Sequence, residues 1–175
     1  MPIDEKAAAG ARGTTHGEGA GRGLMAGKRA LVTGVANERS IAWAIARAFH
    51  REGAELVFTY PGEAMGRRVI PLVQPLAKAV LDCDVSRDSA IEQTVARIAE
   101  TWDGLDVLVH SIAFAPREAM DGRFTEVTSR EAWRVALDVS AYSLIGLARA
   151  VKPLLRTGSS IITLSYYGAE KVVTN

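Results

Sequence analysis

At 175 residues the chain is long enough for one domain with a sizeable core, and at 48% hydrophobic and 23% charged it has the composition of a globular protein. A net charge of +1 gives no electrostatic case for nucleic acid or an anionic membrane surface. The single cysteine, Cys83, rules out an internal disulfide and suits a reducing cytoplasm, and no apolar run approaches the roughly 20 residues of a membrane-spanning helix.

Residues 1–24 are rich in Gly and Ala and almost lack large apolar side chains. Such a segment does not offset its ordering entropy and is expected to be a disordered tail. It has no apolar middle region for a signal peptide, and Asp4, Glu5 and Glu18 argue against a transit peptide. Met25, directly before the first patterned segment, offers an alternative start. Residues 25–175 are read as one dinucleotide-binding domain.

The apolar run in residues 29–33 is the first expected strand. Gly34 follows at once, where the chain must turn, and Ser40 stands where a helix cap is expected before the periodic set Ile41, Ile45 and Phe49. That helix runs over 41–51 and ends at Gly53. Residues 55–60 are a second strand, broken by Pro61 and Gly62. A short helix over 63–72 and a short strand over 79–81 follow. Ile91, Val95, Ile98 and Trp102 mark a helix over 89–102, and residues 105–110 a nearly all-apolar strand. Residues 116–128 read as loop, 130–155 as one long helix capped by Ser129, and 160–165 as a fifth strand. Strands alternating with helices predict an α/β fold of right-handed βαβ units on a parallel sheet covered on both faces.

The long helix carries a small-residue stripe (Ala132, Ala136, Val139, Ser143, Gly146, Ala150) and a larger one (Trp133, Leu137, Leu144, Leu147, Val151). A helix apolar on two faces is buried on both, one against the sheet and the other within the domain or on a partner subunit.

Ligands of such sheets bind beyond the carboxyl ends of the strands, where four segments emerge. A strand–turn–helix junction such as Gly34–Ile41 offers free N–H groups and the positive end of a helix dipole to a phosphate. The dinucleotide fingerprint would place further glycines after Gly34; Ser40 and Ala42 stand there instead, and the Ser40 hydroxyl could bond a phosphate. The second segment, Tyr60-Pro61-Gly62, lacks the Asp or Glu that binds the ribose of NAD, although Glu63, Arg67 and Arg68 follow. In the third, Cys83-Asp84-Val85, the Asp84 carboxylate could accept an adenine amino group or cap a turn. The fourth, residues 110–116, has small and apolar residues suited to a nicotinamide site; His110 alone reads as structural.

Together, Thr33-Gly34-Val35-Ala36 with Ser40-Ile41-Ala42, His110-Ser111-Ile112-Ala113-Phe114-Ala115-Pro116, and Leu164-Ser165-Tyr166-Tyr167-Gly168-Ala169-Glu170 resemble bacterial enoyl-acyl-carrier-protein reductases, a divergent branch of the short-chain dehydrogenase/reductase superfamily. The resemblance covers about residues 25–175. It implies a Rossmann-type doubly wound sheet and hydride transfer from NADH, in some members NADPH, to the β carbon of an enoyl thioester on acyl carrier protein. The enolate oxygen then needs hydrogen-bond stabilisation and the α carbon a proton. By the same resemblance Gly34, Ser40, Ile41, Asp84, Val85 and Ile112 contact the cofactor, Ala115 lies at the substrate, and Tyr166 is the first of two active-site tyrosines. Pro61 stands at an adenosine-side position where many members carry Gln. No metal is implied.

The resemblance places the second tyrosine immediately after Asn175 and a lysine seven residues further on, so five strands of about seven are expected here. The full-length family usually forms homotetramers in the cytoplasm. The 175-residue chain by itself is expected to be inactive and poorly stable. Two other readings stay open. Another short-chain reductase, such as one acting on a β-ketoacyl thioester, would carry more glycines in the first loop and an Asn motif after the fourth strand. A non-catalytic nucleotide-binding module is the other.

Overall fold

The computed structural model describes residues 23–172. Of the tail expected to be disordered, residues 1–22 lie outside that range. Gly23 and Leu24 enter a turn that docks on the first helix, where the Met25 N–H donates to the Glu52 carbonyl at 3.0 Å.

Five strands, β1 (Arg29–Thr33), β2 (Glu55–Tyr60), β3 (Ala77–Asp82), β4 (Leu105–His110) and β5 (Leu155–Thr163), form one sheet in the order β3-β2-β1-β4-β5. Every pairing is parallel. The order reverses between β1 and β4, which makes the doubly wound α/β arrangement with its switch point at the ends of those strands. Leu31 sits between Val57 and Leu108 in register, so the apolar centre of the sheet is three strands wide.

Successive strand residues feed opposite faces. Ala30, Val32, Phe58, Val107 and Val109 pack under α1 (Ile41–Arg51) and α2 (Gly62–Val73), against Ala42, Ala46, Val69 and Val73. Leu31, Val57, Leu105 and Leu108 pack against α3 (Asp88–Thr101) and later helices through Ile91, Ile98, Leu147 and Val151. Burial on both faces explains why β1 and β4 are mostly apolar rather than alternating. Pro71 lies within the last turn of α2, where the hydrogen bond it removes is near the helix end.

Several boundaries differ from expectation. β3 spans Ala77–Asp82 rather than 79–81 because its pairing with β2 runs on to Tyr60↔Asp82. The loop over 116–128 contains a 3-10 turn at Arg117–Ala119 and one helical turn, α4 (Phe124–Val127). The expected long helix is divided into α5 (Arg130–Leu137), a π-helical turn at Asp138–Tyr142 and α6 (Ser143–Val151), then a 3-10 turn to Leu154. β5 therefore starts at Leu155, five residues early, with its register against β4 shifting between Leu105 and Val107.

Ser129 caps α5 as expected, its hydroxyl oxygen accepting the Ala132 N–H at 3.0 Å. Ser143, Gly146, Leu147 and Val151 share the buried side of α6, so the two expected stripes merge into one face. Trp133 and Leu137 remain about half exposed, at 50% and 49%.

Candidate functional site

A cleft of about 820 Å³ opens across the carboxyl ends of β1 to β4. Its wall on one side is the loop after β1. Gly34 has φ +85°, and a Cβ there would overlap the Ser111 carbonyl and lie 3.1 Å from the Ile112 N–H nitrogen. Only glycine lets this loop lie directly on the loop after β4. Just before it, the Thr33 hydroxyl donates to the Val109 carbonyl at 2.9 Å and ties the two strand ends together.

Ser40 occupies the cap position of α1 without making the cap bond. Its oxygen turns back into the loop and accepts the N–H groups of Ala36 and Asn37, each at 3.0 Å. The expected capping role is therefore corrected: the loop's own donors outcompete the helix for this oxygen. The hydroxyl hydrogen has no acceptor among the described residues. In α1 the first N–H groups to find carbonyls are those of Trp43 and Ala44, both on Ser40. The N–H groups of Ile41 and Ala42 have no acceptor among the described residues, so the positive end of α1 is open to an anion.

The opposite side of the cleft is formed by Thr59, Pro61, Gly62 and Met65 and by residues 82–87. Asp84 accepts the Ser86 hydroxyl at 2.7 Å and the Ser86 N–H at 3.1 Å, and pairs with Arg87 at 3.4 Å. The Ser86 hydroxyl, more than any other neighbour, holds this carboxyl below its ordinary range. These contacts realise the turn-cap reading of Asp84. Asp82 reaches across to the β2 tip and accepts the Gly62 N–H at 2.8 Å.

The loop after β4 closes the floor with Ser111, Ile112, Ala113 and Phe114, and α5 with its π turn adds Arg134, Val135, Asp138 and Val139. The π turn has an identifiable partner. The Ser140 oxygen accepts the Phe114 N–H at 2.9 Å, and its hydroxyl donates to the Phe114 carbonyl at 3.1 Å. Arg134 is held on Glu131 by two contacts of 2.9 and 2.6 Å.

His110 is structural, as its surroundings suggested. The Ser143 hydroxyl donates to the Val139 carbonyl at 2.6 Å, so its oxygen accepts from His110 Nε2–H at 2.8 Å. That leaves Nδ1 as the acceptor facing the Thr163 hydroxyl at 3.4 Å. Burial pushes the imidazole pKa below its ordinary value and keeps the ring neutral.

Gly34, Pro61, Asp84, Val85 and Ile112 thus come together on one cleft. Ser40 stands behind its loop, and Ile41, Ala115 and Tyr166 are not on the lining. Tyr166 is 70% exposed, its ring over the Cα of Gly168. No group of three or more His, Cys, Asp or Glu residues suited to a metal occurs among the described residues, and no described helix is long and apolar enough to cross a membrane.

A family model described as enoyl-(acyl carrier protein) reductase matches residues 34–175. The chain belongs to the enoyl-acyl-carrier-protein reductase family. It is 51% identical over 153 residues to the enoyl-[acyl-carrier-protein] reductase [NADH] of Aquifex aeolicus, covering 86% of this chain and 56% of that protein. The Salmonella typhimurium protein of the same name is 45% identical over 154 residues, covering 87% and 59%. The crystal structure of the Aquifex reductase superposes with a TM-score of 0.81 over 86% of this chain and 60% of that one. A reductase from Anaplasma phagocytophilum, solved in complex with NAD, superposes with a TM-score of 0.80 at 41% identity, covering 87% and 58%. The chain therefore spans less than two thirds of these relatives' length.

For a member of this family, reasoning from sequence missed Asp82, Arg134 and Asp138 on the cleft. Asp82 was in reach: extending the short third strand by one residue puts a carboxylate at its tip. Arg134 and Asp138 lay in a helix read for its apolar stripes, and only the fold brings that helix over the strand ends.

Proposed function

We propose that this cleft seats NADH in an enoyl-acyl-carrier-protein reductase, and that the whole protein reduces the enoyl thioester carried by acyl carrier protein. The observation that carries the reading is the turn after β1: Gly34 lies against the Ser111 carbonyl on the cleft wall, and behind it the Ile41 and Ala42 N–H groups at the start of α1 have no acceptor among the described residues. When bound, NADH supplies the hydride.

This chain's residues bind and orient. Gly34 permits close approach, the Ile41 and Ala42 N–H groups offer the helix end to phosphate oxygens, and Ser40 shapes the loop through the Ala36 and Asn37 N–H groups. Pro61 flanks the adenosine side. Asp84, held by Ser86, sets the loop on which the Val85 N–H and the adenine edge meet. Ile112 and Ala113 line the nicotinamide end and exclude water from it. Ala115 and Tyr166 belong to the substrate side, Tyr166 as one of two tyrosines that serve the thioester. The half-exposed Trp133 and Leu137, with Ile145 at 54% exposure, suit the homotetramer implied by the family resemblance. The free, buried Cys83 fits a cytoplasmic setting.

Calorimetry of this chain with ADP-ribose and with NADH tests the proposal. Saturable binding of both, with NADH little tighter than ADP-ribose and no NADH oxidation on a crotonyl thioester, is the expected result. A chain extended over the remainder of the relatives' length should turn over. Absence of binding to either ligand would refute the cleft assignment. NADH binding by this chain as tight as by the extended one would favour a non-catalytic module.

A further inference from the structure

The tip of β2 presents a problem for a fold that grips adenosine. About 20 residues beyond the glycine turn, such sheets place an Asp or Glu that bonds the ribose hydroxyls of NAD, or an Arg for the 2′-phosphate of NADP. Here the tip is Tyr60-Pro61-Gly62, with neither. Glu63 is turned to Arg67 at 3.3 Å, and neither residue lines the cleft.

A carboxylate nevertheless stands at that point. Asp82 ends β3 and is paired in register with Tyr60, which ends β2, so the two strand tips are side by side. Its Oδ1 accepts the Gly62 N–H at 2.8 Å, which holds that oxygen against the β2 tip. Its Oδ2 has no partner among the described residues, and the side chain lines the cleft with Pro61, Gly62 and Met65. The nearby cation, Arg87, is engaged by Asp84.

We infer that Asp82 supplies from β3 the carboxylate missing at the tip of β2, and that it selects a dinucleotide with a free adenosine 2′-hydroxyl over one carrying a 2′-phosphate. The inference rests on the proposal that the cleft seats NADH. Oδ2 accepts a ribose hydroxyl, whereas a 2′-phosphate there meets a fixed like charge. For an exposed carboxylate a few ångströms from a phosphate, the repulsion weakens NADPH about tenfold.

The test is calorimetric titration of this chain and its Asp82→Asn and Asp82→Glu variants with NADH and with NADPH. Asn keeps the oxygen that accepts the Gly62 N–H and loses the charge. The wild type should prefer NADH about tenfold or more, and the preference should shrink with added salt. Asp82→Asn should abolish most of the preference, mainly through tighter NADPH binding, with a smaller loss for NADH. Asp82→Glu should retain it. An unchanged preference in a folded Asp82→Asn, or a wild type that prefers NADPH, would overturn the inference alone. A wild type that binds neither dinucleotide would overturn the reading of the cleft as well.

Discussion

Replacing Gly34 by Ala separates two costs that glycines usually combine. At φ +85° an L side chain is strained by about 1–2 kcal/mol wherever it sits. The added Cβ would also overlap the Ser111 carbonyl and crowd the Ile112 nitrogen at 3.1 Å, and both neighbours are backbone. Relief requires the loops after β1 and β4 to part. The nearest ties are the Thr33↔His110 pairing and the 2.9 Å bond from the Thr33 hydroxyl to the Val109 carbonyl. Losing one or two such bonds costs about 1 kcal/mol each. The sum for Gly34→Ala is about 3 kcal/mol, a large part of a typical domain's 5–15 kcal/mol.

Gly27 supplies the internal control. It too has positive φ, +72°, but nothing lies within 4 Å of its added Cβ, so Gly27→Ala should cost only the strain of about 1–2 kcal/mol. Urea unfolding of both variants measures the difference, and ADP-ribose calorimetry on Gly34→Ala reads the effect on the cleft. Equal destabilisation by the two substitutions would refute the close-approach argument. Unimpaired ADP-ribose binding by Gly34→Ala would refute the role of this loop in holding phosphate.

Two further outcomes follow from polar contacts at the end of β4 and in the loop after it. Burial lowers the pKa of His110 from 6.5, so the unfolded chain takes up a proton there before the native one does. Its contribution to stability is complete above about pH 6.5 and is lost as pH falls through the native value; His110→Gln should flatten the wild-type difference between about pH 7.5 and 5.5, and an unchanged difference would contradict it. Ser140→Ala frees both backbone groups of Phe114 and should destabilise by about 1–2 kcal/mol, with faster hydrogen exchange at the Phe114 amide. Unchanged exchange there would show that the π turn does not hold the loop.

The order of strands and helices was legible because each strand contains a short apolar run, such as 30–32, 56–58 or 107–109, and most helices a period near 3.6. The interruption at Asp138–Tyr142 was not, because the apolar spacing from Ala132 to Ala150 is that of an uninterrupted helix. Ser140 within it is bonded to Phe114, a partner 26 residues away that no local pattern can show. Ser40 was misread for a related reason: the serine that suits a helix cap was taken by the N–H groups of Ala36 and Asn37. At Asp84 the sequence left two roles open, and Ser86 and Arg87 realise the turn. The apparent strand over 160–165 hid its first half because Gly158, at φ +82°, breaks the alternation within β5.

The adenosine side of the cleft shows why spacing alone misleads about binding residues. A fingerprint counts along one strand, from a glycine turn to an acid about 20 residues on, and so assumes that the acid belongs to β2. A parallel sheet makes the ends of neighbouring strands equivalent in space, about 4.8 Å apart. Tyr60 and Asp82 are 22 positions apart in sequence but form one register pair, and the Gly62 N–H bonds the carboxylate of the neighbouring strand. A group can therefore pass from one strand tip to the next and keep its place on the cleft while disappearing from the one-dimensional pattern. The useful question at such a tip is which strand ends in register with it. Exchanging the positions, with Asp82→Ala and Pro61→Asp in one chain, should keep the preference for NADH over NADPH; Asp82→Ala alone should lose it. If the double variant lost it too, the carboxylate's effect would depend on the β3 position itself.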